Sequence, residues 1–406
     1  MKILFLSSPP NTRRIEIVER KGLGHPDTLA DGLAEELSCE YAKLTLSKFG
    51  YILHHDFDKI ALVGGKSRVE FGKGYIVSPI KVYLNCRIST QFANQSIDVK
   101  KFLSDTTISF LKKKLPDISR NDIRIHYGYE TSSSPGGVKG SSGPREYWFT
   151  PRGPEDLPEL KILKANDTAI GCSFFPLSTA EKIALEVENF LNSKQYKKNN
   201  PWCGYDIKIH VIKVKQKVEI TLAIPQIAKH VFSLKEYISN LEKVKRDIQL
   251  YINEHFPGIK KLNIFTNTRD IYEIPELYLT AIGSSLETGD IGVVGRGNRI
   301  NGLITPFKCI SIEAPYGKNP VYHAGKIYNV LARILSKEIY FLTGHYNEVY
   351  LISQSGRKLS DPWKVIVKGS GLSAEKGKIK EIIKDYLNSI PEITKEIINK
   401  KLKLVV

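Results

Sequence analysis

At 406 residues, 41% of them hydrophobic, the chain is long enough for two or three domains with cores of their own. Five cysteines, at positions 39, 86, 172, 203 and 309, are odd in number and far apart, with no C-x-x-C pair, which argues against a disulfide scaffold or a zinc site and fits a reducing compartment. Sixty Lys and Arg against 43 Asp and Glu leave a net charge of +17, which favours anionic partners such as nucleic acid, acidic membranes or phosphorylated small molecules.

The opening MKILFLSSPP is too short for a signal sequence, and nothing later reaches the roughly 18 apolar residues of a membrane helix. A cytoplasmic, unanchored protein is expected. From Thr28 to Ser47, Leu29, Leu33, Leu37, Tyr41 and Leu44 recur at helical spacing and predict an amphipathic helix. A strand from Lys59 to Val69 follows, then one in which Val82, Leu84, Cys86 and Ile88 alternate with polar residues. A helix over 97–115 and a strand over 122–130 complete the first set.

The order then recurs. Ser178 and Glu181 form a capping box for a helix to about Asn192, strands follow near 205–214 and 217–225, and Ser233 caps a second helix before a strand at 261–267. A third set begins at Pro320, with a helix to about Tyr340, strands at 347–353 and 363–368, and a helix opened by Ser373 and Glu375. The expectation is an α/β (α+β) fold of three similar αββαβ domains. Its boundaries are 1–130, a Ser/Gly/Pro-rich loop at 131–165, 166–288 and 289–406.

Three stretches carry chemistry. In GLGHPDTLADGL, residues 22–33, His25, Pro26 and Asp27 stand at a helix start, where free N–H groups attract phosphate and a carboxylate can hold a phosphate-bound Mg²⁺. An ordinary N-cap role for Asp27 is the plainer alternative. In GDIGVVGRGNRINGLITP, residues 289–306, glycines 289, 292, 295 and 297 surround Asp290, Arg296 and Arg299, so backbone can approach a ligand while guanidiniums bind anions. This is not the dinucleotide fingerprint, and GGKS at 64–67 is no Walker loop. In EAPYGKNPVYHAGKIYNV, residues 313–330, Lys318 and Lys326 flank a helix start beside His323, against the helix dipole, which suggests a bound anion. Lys197 and Lys198 read as solvated surface.

Together with EIVERKGLGHPD at 16–27, ILHHDFDKIALVGG at 52–65, KANDTAIG at 164–171 and PLSTAEKIALEVE at 176–188, these runs resemble archaeal-type S-adenosylmethionine synthetase over nearly the whole chain. The resemblance implies three α/β domains about an approximate threefold, a homodimer with interfacial active sites, and ATP and L-methionine as substrates. It implies sulfur attack on the ribose C5′, then cleavage of the expelled triphosphate to phosphate and diphosphate. It assigns His25 to the breaking C5′–O bond, Asp27 and Asp290 to Mg²⁺, and Arg296, Lys318 and Lys326 to the polyphosphate. Nucleotide contacts fall to Gly140, Ser141, Ser142, Gly143, Pro144 and Arg145, with Asn166 and Asp167 near the site; K⁺ is left open.

Two departures from the family stand out. Apolar Ile291 and Val293 follow Asp290, where archaeal members carry an acidic residue directly after the Asp. Pro315 and Tyr316 precede GKNP, where small residues are usual. They leave room for a paralogue that cleaves triphosphate or takes a methionine analogue. A basic nucleic-acid-binding protein is the alternative of another class, but no reader motif or aromatic-interleaved basic cluster supports it.

Overall fold

The computed structural model describes residues 1–8, 14–132, 146–157, 159 and 161–405. In chain order its main strands are β1 (Lys2–Ser7), β2 (Ile15–Lys21), β3 (His55–Val63), β4 (Ile80–Ile88), β5 (Ile123–Glu130), β6 (Ile170–Phe175), β7 (Lys208–Val214), β8 (Lys217–Ala223), β9 (Lys261–Thr266), β10 (Ile291–Val293), β11 (Asn347–Ile352) and β12 (Lys364–Gly369). The main helices are α1 (Pro26–Phe49), α2 (Val99–Lys114), α3 (Thr179–Leu191), α4 (Leu234–His255), α5 (Ala324–Thr343), α6 (Lys376–Asn388) and α7 (Ile390–Ile398).

These strands form three four-stranded sheets, ordered β10-β3-β4-β5, β2-β7-β8-β9 and β6-β11-β12-β1. In each, the first two pairings are antiparallel and the last is parallel. The recurrence of element order in the sequence is thus a recurrence of strand pairing. A helix precedes the central antiparallel pair of each sheet and another follows it: α1 and α2, α3 and α4, α5 and α6.

Among the described residues no strand follows α6, and the place beside β12 is taken by β1, in register from Lys2 with Lys364 to Ser7 with Gly369. The apolar run Lys2–Ser7 completes the third sheet. The outer antiparallel strand is borrowed in every case: β10 by the first sheet, β2 by the second and β6 by the third. Sheet membership therefore crosses the sequence boundaries at 130, 165 and 288.

The single strand expected over 59–69 is broken. β3 ends at Val63, and a hairpin of 66–70 with 73–78 begins after Gly64 and Gly65. Those two glycines donate their N–H groups to the carbonyls of Asp290 and Leu286, at 2.9 and 3.0 Å, so the chain leaves the sheet to meet the 285–290 turn. Helix α1 also differs from a surface amphipathic helix, since every residue from Pro26 to Glu35 is buried. One core joins α1, the first sheet, α5 and the third sheet, and a second core lies between β2, α3, α4 and the second sheet.

A buried ion pair fastens β2 to α3 within the second body. Arg20 on β2 is fully enclosed; its Nε donates to Glu188 Oε2 of α3 at 2.8 Å and its Nη1 to the Gly302 carbonyl at 2.6 Å. Removing one partner leaves the other charge buried without a counterion, which typically costs about 3–5 kcal/mol. Arg20→Leu should lower the free energy of unfolding by that order in a denaturant titration, and a loss under ~1 kcal/mol would contradict this account.

Candidate active site

His25 opens α1. Its backbone is extended, and its Nδ1 accepts the N–H of Asp27 at 3.1 Å, so His25 and not Asp27 is the N-cap. An imidazole that accepts at Nδ1 carries its proton on Nε2 when neutral. Burial pushes the His25 pKa down, against the opposing pull of Asp206, Asp27 and Asp290. His25 therefore offers a neutral N–H donor beside three carboxylates. Asp206 had no signal in the sequence: it follows an irregular turn, and tertiary folding alone brings it here, where it accepts from Tyr278 Oη at 3.0 Å and from Ser285 Oγ at 2.5 Å. Ser285 Oγ lies 3.0 Å from Asp290 Oδ2 and joins the two acids.

Along α1, Asp27, Asp31 and Glu35 recur every four residues and so share one face. The glycine-rich stretch docks against this face. Val293 N–H donates to Asp27 Oδ1 at 3.0 Å, and Gly295 N–H donates to Asp31 Oδ1 at 2.7 Å. A Cβ on Gly292 would sit 2.0 Å from the Pro26 carbonyl oxygen, and one on Gly297 would sit 2.1 Å from Asp31 Oδ2. The glycines read as room for a ligand are thus, at 292 and 297, room for the helix. Arg299 also turns inward, its Nη2 donating to the Gly295 and Gly297 carbonyls at 2.6 and 2.8 Å. Lys21 completes the joint by donating to Asp27 Oδ2 at 2.8 Å and to the Arg296 carbonyl at 2.7 Å.

A cavity of about 1000 Å³ opens beside this joint. Its floor is the outward face of the first sheet, where alternation sets Asn85 and Arg87 of β4 next to Gly128 and Glu130 of β5, with Asp56 and Asp58 at the start of β3. Arg296, Lys318, Asn166, Asp167, Trp148, Phe149, Tyr322 and His323 line the remainder. Lys318 is nearly buried; its Nζ pairs with Glu313 and lies 3.8 Å from Asp58 Oδ2, while burial pushes its pKa down. His323 caps α5 as His25 caps α1, accepting from Gly325 N–H at 3.2 Å, and burial with Lys318 nearby keeps it neutral. Asn166 Oδ1 accepts the N–H of Ala324 at the same helix start, at 3.2 Å.

Of the residues singled out in the sequence, the cavity gathers Arg296, Lys318, Asn166 and Asp167, while His25, Asp27 and Asp290 gather at the mouth of α1. Lys326 is elsewhere. Its ammonium is fully buried and donates to both oxygens of Glu35, at 2.9 and 2.8 Å, so it braces α5 against α1 and cannot reach a ligand in the cavity. Gly140, Ser141, Ser142, Gly143, Pro144 and Arg145 lie outside the described residues. Tyr316 is also structural: it is buried and donates to the Asn298 carbonyl at 2.8 Å. Lys197 is no free surface lysine either, since it donates to the carbonyls of Cys203 and Gly204.

Among the described residues, no three His, Cys, Asp or Glu side chains converge into a cage for a metal ion. Asp27 and the exposed Asp290 offer hard oxygens near His25. That set suits a cation held by one or two carboxylates together with waters and substrate phosphates, as Mg²⁺ commonly is. Cationic and neutral donors around one large cavity at two histidine-capped helix starts define an α/β enzyme for a phosphorylated small molecule.

The profile of the family described as S-adenosylmethionine synthetase (AdoMet synthetase) matches residues 4–401. A probable S-adenosylmethionine synthase of Aquifex aeolicus is 37% identical over 401 residues, 95% of this chain and 94% of that one. The S-adenosylmethionine synthase of Methanocaldococcus jannaschii is 37% identical over 409 residues, 97% of this chain and 96% of that one. The structure of an unusual S-adenosylmethionine synthetase from Campylobacter jejuni aligns with a TM-score of 0.59 at 17% identity, covering 96% of this chain and 89% of that one, and so shares the fold. The chain belongs to the S-adenosylmethionine synthetase family, the methionine adenosyltransferases. These relatives lend no support to the triphosphatase, analogue or nucleic-acid readings.

Burial pushes the Asp31 pKa up to about 8, against the Gly295 hydrogen bond and Arg299. A carboxyl that holds its proton in the fold more tightly than in the unfolded chain releases it on unfolding, so its contribution to stability falls as pH rises from roughly 4 to roughly 8. Asp31→Asn keeps the Oδ1 acceptor and removes the ionisation. Its melting temperature should therefore decline less than that of the wild type over this range, by several degrees, in thermal scans at matched ionic strength. Parallel pH profiles would contradict this assignment.

Proposed function

We propose that the chain makes S-adenosylmethionine in this cavity, from ATP and L-methionine, with the residue roles that follow. The observation that carries the reading is the convergence of Arg296 and Lys318 on one cavity beside the His25 helix start. A thioether sulfur is nucleophilic when neutral, so the first step needs no base. Its demands are alignment of sulfur with C5′ and stabilisation of the departing triphosphate. Arg296 and Lys318 bind phosphate oxygens, and the Nε2 proton of neutral His25 is positioned for the oxygen leaving C5′. Asn166 and Asp167 shape the wall near the start of α5. Lys326, spent on Glu35, takes no part. Asp27 and Asp290 would hold Mg²⁺, which supplies positive charge to the phosphate oxygens.

The outward face of the first sheet also favours a dimer. Next to the cavity it presents Ile291 and Val293, 51% and 40% exposed, alongside Ala61, Val63 and Tyr83. An apolar strip continuous with the cavity rim suits a partner subunit that closes the site, and it gives the apolar residues after Asp290 a role. No helix among the described residues is long and apolar enough to cross a membrane. Five free cysteines and a nucleotide substrate fit the cytoplasm.

Purified protein given ATP, methionine and Mg²⁺ should yield S-adenosylmethionine, diphosphate and phosphate in equal amounts by mass spectrometry. Phosphate formed equally fast without methionine, and no sulfonium, would overturn the reading. Arg296→Ala and Lys318→Ala should each lower kcat by ~10²-fold or more, because preorganised charge in a sheltered site contributes several kcal/mol to the transition state. Exposed Lys198→Ala should change it less than about twofold. Light scattering should give a dimer that survives moderate salt, and a fully active monomer would remove the shared-site argument.

A further inference from the structure

Three segments that wall the cavity meet on one buried ring to which the roles above assign nothing. His54 stands directly before β3 and is 1% exposed. Trp148 stacks on it with ring centroids 4.9 Å apart and planes within 9°, and Phe149 meets it edge-on at 5.9 Å. Its Nδ1 lies 2.8 Å from the Tyr322 hydroxyl. Its Nε2 lies 2.8 Å from Glu159 Oε1, and these two atoms, both sealed from solvent, have no described partner but each other. Trp148, Phe149 and Tyr322 line the cavity, whereas His54 and Glu159 do not reach it.

An apolar side chain could fill the same space without burying a carboxylate, so the pair is placed for direction rather than for packing. A carboxylate only accepts, so Glu159 holds the proton of a neutral imidazole on Nε2 and leaves Nδ1 as an acceptor. Tyr322 supplies the matching donor: burial, with Glu159 and Asp56 nearby, raises its pKa well above the usual phenol value and keeps the hydroxyl protonated. The chain from Glu159 through His54 to Tyr322 thus has one sense along its whole length. It joins the 146–159 segment, the start of β3 and the turn before α5. Trp148 belongs to the same assembly, since Ser89 Oγ donates to the His54 carbonyl at 3.0 Å and to that of Trp148 at 3.4 Å. The phosphate-binding side is anchored separately: Gly317 and Asn319, on either side of Lys318, donate to Glu35 and to the Leu53 carbonyl, each at 3.1 Å.

We infer that His54, oriented by Glu159, is a positioning residue that fixes Tyr322 and Trp148 in the cavity wall and through that wall aligns the thioether with C5′. The inference rests on the activity proposed above. Aromatic rings are the part of the cavity on which a polarizable thioether packs, while the polyphosphate goes to Arg296 and Lys318. Loosening the chain therefore misaligns the nucleophile and leaves nucleotide affinity in place.

Glu159→Leu, which removes the acceptor and keeps the bulk, should lower kcat by at least ~30-fold while the KM for ATP stays within about threefold. Glu159→Gln still offers an oxygen to Nε2–H and should recover kcat to within about fivefold of the wild type. A Gln variant as impaired as the Leu variant would overturn the proposal, as would a Leu variant with unchanged kcat or one whose loss lies in the KM for ATP. Tyr322→Phe deletes only the hydroxyl that His54 holds; it should lower kcat by about 10-fold or more on its own, but by no more than about twofold in Glu159→Leu. Losses that multiply independently break the chain. Should Glu159→Leu not fold, Tyr322→Phe alone decides, because an unchanged kcat excludes His54 acting through that hydroxyl. Should the protein form no sulfonium at all, the wall is read without activity. The emission of Trp148, taken as the difference from Trp148→Phe, should move to longer wavelength in Glu159→Leu and return in Glu159→Gln; an unmoved emission excludes placement of the wall by this pair.

Discussion

Asp27, Asp31 and Glu35 form a buried acidic row along α1, and the two loops that carry the site hang on it. The 291–297 stretch is fixed by N–H bonds to Asp27 and Asp31; the 317–326 stretch is fixed by the Gly317 N–H and the Lys326 ammonium on Glu35. Three carboxylates on one buried helix face would be prohibitive as bare charges. Here each is answered differently: Asp27 by Lys21 and a backbone N–H, Asp31 by retaining its proton near neutrality, Glu35 by a buried ammonium. The helix is therefore the rigid frame on which Arg296 and Lys318, 22 residues apart in sequence, are brought to one cavity.

The same row explains why the glycines are needed. Gly292 and Gly297 let the strand and turn press against the first turns of α1, and a methyl group at either would meet backbone or carboxylate at about 2 Å. Packing of this kind transmits position accurately, because neither partner can shift without breaking a hydrogen bond. The cavity is thus shaped from behind by structural glycines, and its chemistry is set in front by the outward face of the first sheet.

Periodicity alone made most elements legible: α2, α3, α4, β11 and β12 lie within a few residues of their expected places, because capping residues and alternation are local signals. The pairing of β1 with β12 and the borrowing of β2, β6 and β10 were not legible, since a short strand carries no mark of a partner hundreds of residues away. At the site, charged motif residues were visible, but their direction was not. Lys318 and Lys326 look alike in sequence, yet Lys318, in the turn before α5, lines the cavity, while Lys326, on the side of α5 that meets α1, is buried on Glu35. Asp206 stayed hidden because its significance lies in what surrounds it in space.

The charge arrangement also bears on how the site behaves before substrate arrives. Lys318 is not an uncompensated cation waiting in a cavity, because Glu313 holds it. His25 and His323 are kept neutral by burial, and each spends Nδ1 on the helix it caps, which leaves only Nε2–H to offer. On the proposed roles, a bound triphosphate would replace Glu313 at Lys318 and meet imidazole donors whose tautomer is already fixed. The ammonium would then remain paired throughout while only the identity of its anion changes, so little reorganisation would be left to the moment when charge develops on the leaving group. That economy follows from a local feature of the sequence, a histidine placed two residues before the N–H it must accept at the start of both α1 and α5.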